Sequence, residues 1–212
     1  MKEKEYRDAD IAIKTNVVEN IENDNSEEDS EEDVEEQGQD DQQLVEGYAI
    51  VFEQPTVICT IEGINYYEVI DKNALVNCDL SDVPLKYQHN DSAMILARTR
   101  NKTLQLIQDD HGLKVIADIA KTSAGMDVYK LIQRGDLDKM SFGFSVGADS
   151  YDALTHTRRI LSIDKLWDVS IVDIPAYPQT EIYARSYFEA KKKEEERVKY
   201  NLWKKKLILR TY

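Results

Sequence analysis

The chain has 212 residues, enough for one domain of ordinary size with appendages. Its formal net charge of −14 is local: Glu19 to Glu46 holds 14 Asp and Glu and no Lys or Arg, leaving 27 acids against 27 bases elsewhere. That balance excludes a broad basic surface, so nucleic acid is not expected as a partner.

Residues 6–18 alternate weakly and end in Val17-Val18, which suits a first strand. Residues 19–43 are rich in Asp, Glu, Gln, Asn and Ser and offer almost nothing to bury, so they read as a disordered acidic insertion. It is a solvated spacer or a charged interaction arm. Leu44 to Phe52, Thr56 to Ile61 and Tyr66 to Ile70 are short β-rich runs punctuated by Gly47, Pro55 and Gly63. Residues 103–119 read as a hairpin around Asp109-Asp110-His111-Gly112. A helix fits 123–134, capped by Ser123, with Met126, Tyr129 and Ile132 at helical spacing and Gly135 to end it. Strands follow at 139–147, from Arg158 to Ile163, and from Leu166 to Ile174 before Pro175. Ser186-Tyr187-Phe188-Glu189 has capping-box spacing and opens a helical tail, 186–212, with nine Lys or Arg and four Glu. The tail is a solvated helix or a docking element. The main folded unit is then 44–185, after an N-terminal strand region at 1–18. Six to seven strands and a few helices predict a mainly β, α+β fold, a barrel or a sandwich.

The residues that carry chemistry are few. In Met140-Ser141-Phe142-Gly143-Phe144, period two puts Met140, Phe142, Phe144 and Val146 on one side of a strand and Ser141, Gly143, Ser145 and Gly147 on the other. A face of Ser and Gly leaves room beside each hydroxyl, for a nucleophile or for a closely packed backbone. His89 follows the apolar run Val83 to Tyr87 and is better placed as a base than His111 or His156, which fall in turns. Asp168 stands in Leu166-Trp167-Asp168-Val169-Ser170-Ile171-Val172, where a carboxylate needs a partner. That partner is an imidazole, or Arg158 or Arg159. Serine, histidine and acid from separate segments can form a nucleophile, base and orienter, a constellation defined by geometry rather than order. No cofactor or metal is expected, because no two histidines have zinc-like spacing and no phosphate loop is present. Cys59 and Cys78 are too few for a disulfide framework, though one bridge between them stays open, and they fit a reducing compartment. No segment reaches membrane-spanning length, which reads as a soluble intracellular protein without a membrane partner.

These blocks, taken in order, resemble the prohead (capsid maturation) serine proteases of tailed bacteriophages, a family related in fold to the herpesvirus assemblins. The resemblance runs from Val45 to about Ala184. It is carried by Glu46-Gly47-Tyr48-Ala49-Ile50-Val51-Phe52, Glu68-Val69-Ile70, Gln88-His89-Asn90-Asp91, Leu96-Ala97-Arg98-Thr99 and Asp110-His111-Gly112-Leu113. Thr122-Ser123, Leu131-Ile132-Gln133-Arg134-Gly135-Asp136-Leu137 and Met140 to Phe144 form its strongest part, followed by Leu166 to Val172 and Pro175-Ala176-Tyr177.

The resemblance implies Ser141 as nucleophile, His89 as general base and Asp168 as third member, where the family usually carries a glutamate. It implies a closed β-barrel of about six to seven strands surrounded by helices. It also implies a serine endopeptidase inside the immature viral capsid, in the host cytoplasm. Its partners would be the major capsid protein and its scaffolding segment, with self-association inside the procapsid and self-cleavage. An oxyanion hole is required, and backbone amides near Arg158 or Arg159 are the first candidates. The rivals are a catalytically inactive scaffold or assembly chaperone, and another serine acyl hydrolase. No Gly-x-Ser-x-Gly elbow surrounds Ser141, which weighs against the second.

Overall fold

In the computed structural model the described residues are 4–9, 14–15, 42–90, 95–173 and 178–209. The acidic insertion, apart from Gln42 and Gln43, lies outside them, as do Asp91 and Pro175-Ala176-Tyr177. The strands in chain order are β1 (Glu5–Ala9), β2 (Lys14–Thr15), β3 (Leu44–Val51), β4 (Thr56–Ile61) and β5 (Ile64–Ile70). Then come β6 (Pro84–Tyr87), β7 (Ala97–Arg98), β8 (Leu104–Gln108) and β9 (Gly112–Asp118). Helix α1 (Ser123–Arg134) precedes two long strands, β10 (Lys139–Asp152) and β11 (Thr157–Val172), and helix α2 (Pro178–Leu209) follows.

The hairpin expected at 103–119 is β8–β9, and the helix expected at 123–134 is α1 with those limits. Its N-cap is Thr122 rather than Ser123: the Thr122 side chain accepts from the Gly125 amide at 3.1 Å. Gly135 ends it in the left-handed conformation, at φ 81°, as glycine does without a Cβ penalty. Val128 and Ile132 carry the buried face, and Met126 is exposed. The two strands expected on either side of Asp164-Lys165 are one strand, β11. Lys165 continues the ladder opposite Ser145, and its ammonium reaches Asp79 at 3.0 Å. The weak first strand is two pieces, β1 and β2, which join different sheets.

The closed barrel expected from the resemblance is not what the chain forms. One sheet runs β1-β10-β11-β5-β4, with β6 and β7 branching from β11. The other runs β2-β3-β9-β8. Neither closes. A barrel needs hydrogen bonds between its first and last strands, whereas here β3 packs against β1 and β10 across a boundary between sheets with no ladder. Four register shifts along the β10–β11 ladder bend these strands, so that 14- and 16-residue strands wrap a single core. The result is a mixed α+β fold whose core joins Ile50, Leu85, Leu113, Ile132, Phe144 and Leu166 from both sheets and α1.

Helix α2 starts at Pro178, eight residues before the predicted capping box, so the boundary expected between 185 and 186 falls inside it. It docks on the chain itself. Phe188 fills a second apolar cluster with Cys59, Ile61 and Tyr66 of the β4–β5 hairpin, and Lys192 bonds Glu62 at 2.5 Å. No disulfide joins Cys59 and Cys78.

Candidate active site

Three strands bring the predicted residues together. Ser141 and Asp168 lie on neighbouring strands, with Ser141 opposite Ser170 and Gly143 opposite Asp168 in the β10–β11 ladder. Strand β6 runs parallel to β11, pairing Tyr87 with Ile171, and its end carries His89 back over them. The turn is strained. Gln88 and His89 both have left-handed backbones, at φ 57° and 51°, a conformation that costs about 1–2 kcal/mol for a residue with a Cβ. It is held by Gln88 N–H donating to Ile171 O at 3.0 Å and His89 N–H donating to Ser170 Oγ at 3.2 Å.

The imidazole links the other two side chains. His89 Nε2 is 2.6 Å from Ser141 Oγ, and His89 Nδ1 is hydrogen-bonded to Asp168 Oδ1. With the proton on Nδ1 donated to the carboxylate, Nε2 is left as acceptor for the serine hydroxyl. Ser141 and Asp168 are both 0 % exposed. Burial pushes the Asp168 carboxyl up, but hydrogen bonds and charge from His89 and Lys4 pull it further down, to about 2. It is therefore an anion at neutral pH, able to fix the ring and stabilise an imidazolium.

The alternative partners are engaged elsewhere. Arg158 pairs with Glu5, Glu68 and Asp149, and Arg159 with Glu53 and Asp71. Their backbones sit between β10 and β5, so the first guess for the oxyanion donors falls on amides inside ladders rather than beside Ser141. His111 meets the Tyr48 ring edge-to-face in the β8–β9 turn, and His156 contacts Tyr66 and Tyr151 in the β10–β11 turn. Ser145 accepts from the Trp167 indole at 2.7 Å, away from the imidazole. Among the described residues no cluster of His, Cys, Asp and Glu could hold a metal, and no helix is long and apolar enough to cross a membrane.

Several members of the site were not singled out from sequence. Ser170 Oγ lies 3.1 Å from both Asp168 Oδ1 and His89 Nδ1, tying acid, ring and backbone together. Its place two residues after Asp168, on the same side of one strand, was the available signal. Gly143 is needed where it stands: a Cβ there would lie 2.9 Å from Asp168 Oδ2 and 2.6 Å from the Lys4 side chain. Lys4 donates to Asp168 Oδ2 at 2.6 Å, and the Tyr6 ring lies 4.4 Å from that of His89. Both come with β1, which pairs with β10 and covers the site. No local pattern announces that pairing.

Comparison with known proteins places these residues in context. The sequence model of a family described as caudovirus prohead serine protease matches residues 29–194. The prohead protease of Enterobacteria phage HK97 is 28% identical over 148 residues, 69% of this chain and 62% of that protein. The chain thus spans less than two thirds of that relative's length. No solved structure matches.

Proposed function

The chain belongs to the caudovirus prohead serine protease family, and from that premise we propose that it is a serine endopeptidase that matures a viral procapsid. It acts inside the immature shell, in the host cytoplasm, cutting the scaffolding segment from the major capsid protein and also cutting itself. The observation that carries this reading is the continuous, buried relay from Ser141 through His89 to Asp168.

In the mechanism this supports, His89 Nε2 takes the Ser141 proton as Oγ bonds to the scissile carbonyl carbon. Asp168 holds the Nδ1 proton and offsets the charge on the ring. As the tetrahedral intermediate collapses, the C–N bond breaks and the amine leaves with the proton from Nε2. Water, deprotonated by the same nitrogen, then attacks the acyl-enzyme and frees the acid and Ser141. No metal or cofactor enters.

Co-expression with the capsid protein tests the reading. The wild-type chain should shorten the capsid protein, and Ser141→Ala should leave it at full length while remaining folded. Losing a buried hydroxyl that bonds the Arg7 carbonyl costs about 1–3 kcal/mol, a drop in melting temperature of roughly 2–12 °C. Normal processing by Ser141→Ala would sink the assignment.

A further inference from the structure

Strand β1 lies on the nucleophile. It pairs antiparallel with β10, Tyr6 opposite Gly143 and Asp8 opposite Ser141, as an extended peptide adds to the edge of a sheet. The Ser141 hydroxyl donates to the Arg7 carbonyl at 2.8 Å while also lying 2.6 Å from His89 Nε2. It has one hydrogen for two acceptors. The seated strand thus competes with the imidazole for that hydrogen and shuts Ser141 off from solvent. The family match begins at residue 29, downstream of β1, so the strand on the site is not part of the matched unit.

The side chain of Arg7 occupies a built pocket. Its guanidinium forks onto Glu68, Nε to Oε1 at 2.5 Å and a terminal nitrogen to Oε2 at 2.9 Å, and lies over the Phe144 ring at 5.6 Å. The fork is the geometry in which arginine outdoes any other side chain. Glu5 also bonds Arg7, but it travels with β1. Once β1 is removed, the pocket keeps Glu68, Asp149 and Arg158, a formal charge of −1 in which Arg158 reaches Glu68 at only 3.2 Å. A buried negative charge of that kind calls for a cation.

Resting on the protease reading above, we propose that β1 is a resident occupant of the substrate cleft and that Glu68 is its specificity residue, selecting a basic side chain immediately before the bond to be cut. The residue whose carbonyl meets the nucleophile contributes the acyl group, and here that residue is Arg7. A substrate strand must displace β1, bring its own arginine or lysine to Glu68, and present the following peptide bond to Ser141.

Two fluorogenic peptides that differ only in Arg or Leu before the scissile bond test this on the full chain. Both compete with the same resident strand, so the ratio of their kcat/KM values is independent of its occupancy. The Arg peptide should be favoured by ~100-fold or more, as expected when an uncharged analogue leaves a buried carboxylate unpaired. Glu68→Gln should bring the preference below about tenfold, and its melting temperature and labelling by a fluorophosphonate serine probe report that the site is intact. Arg7→Glu sets a carboxylate against Glu68 and should raise both probe labelling and turnover of the Arg peptide at least ~10-fold by unseating β1. If that variant does not fold, Arg7→Met serves, losing the fork while keeping the bulk. Equal cleavage of both peptides by protein that takes the probe overturns the inference and leaves the protease reading standing. Folded Arg7→Glu or Arg7→Met that neither takes the probe nor cleaves either peptide removes the protease reading itself.

Discussion

Asp168 is one methylene shorter than the glutamate that the resemblance leads one to expect, and its surroundings suit the shorter acid. Its Oδ2 sits 2.9 Å from where a Cβ on Gly143 would be and 2.6 Å from the Lys4 ammonium, while Oδ1 meets both His89 and Ser170. A glutamate would have to enter the space now shared by Lys4 and Gly143. Asp168→Glu should therefore keep a fraction of the turnover, with Lys4 displaced. Asp168→Asn should lose up to ~10⁴ in kcat, because an amide that donates to Nδ1 enforces the wrong tautomer. Peptide cleavage and melting temperature measured on the same samples decide the matter. Full activity of the Asn variant with only a lowered melting point would make Asp168 a structural residue.

At the scale of elements, what could be read from sequence was whatever has a local cause. The helix at 123–134 carries its own cap signals, and the 103–119 hairpin carries its turn in Asp109, whose carboxylate accepts from the His111 and Gly112 amides at 2.8 and 2.9 Å. The Ser and Gly face of β10 showed in the period of two, and Gly143 proves its use. The reach of β10 to Asp152, the fusion of two expected strands into β11 and the seating of β1 on β10 depend on partners distant in sequence. So does the open edge at β4 that replaces barrel closure. Local propensity contains none of these. The tail shows the same division: its helicity was legible, but its docking depends on contacts distant in sequence, Phe188 meeting Cys59, Ile61 and Tyr66 and Lys192 reaching Glu62. Phe188→Ala should cost about 3–5 kcal/mol, a drop in melting temperature of roughly 6–20 °C for a chain of this size. It should also open α2 to proteolysis. An unchanged melting curve with faster proteolysis would mean that the helix unfolds as a unit separate from the sheets.

Across the whole molecule the charges fall into two groups, and acid should affect them differently. The acidic insertion holds carboxylates with no cation of its own in sequence, whereas the folded unit sets the buried Asp168 and Glu68 and the half-buried Glu5 against Lys4, His89, Arg7 and Arg158. Burial alone would push the Glu5 carboxyl up, yet Arg158 and Arg7 bring it below its ordinary value, and Asp168 is lowered to about 2. A carboxylate held low in the folded state binds its proton more weakly there than in the unfolded chain. Its contribution is complete above the unfolded value near ~4 and drains away as the pH falls through that value towards about 2. For Asp168, a shift of nearly two units corresponds to roughly 2–3 kcal/mol. Urea unfolding of the wild type and Asp168→Asn at a series of pH values below about 5 follows it, because every other carboxylate titrates in both proteins. The stability gap should shrink by that amount as the pH falls from about 5 to about 2. Two parallel curves across that window would show that Asp168 is not held as an anion by His89 and Lys4, and would weaken the relay.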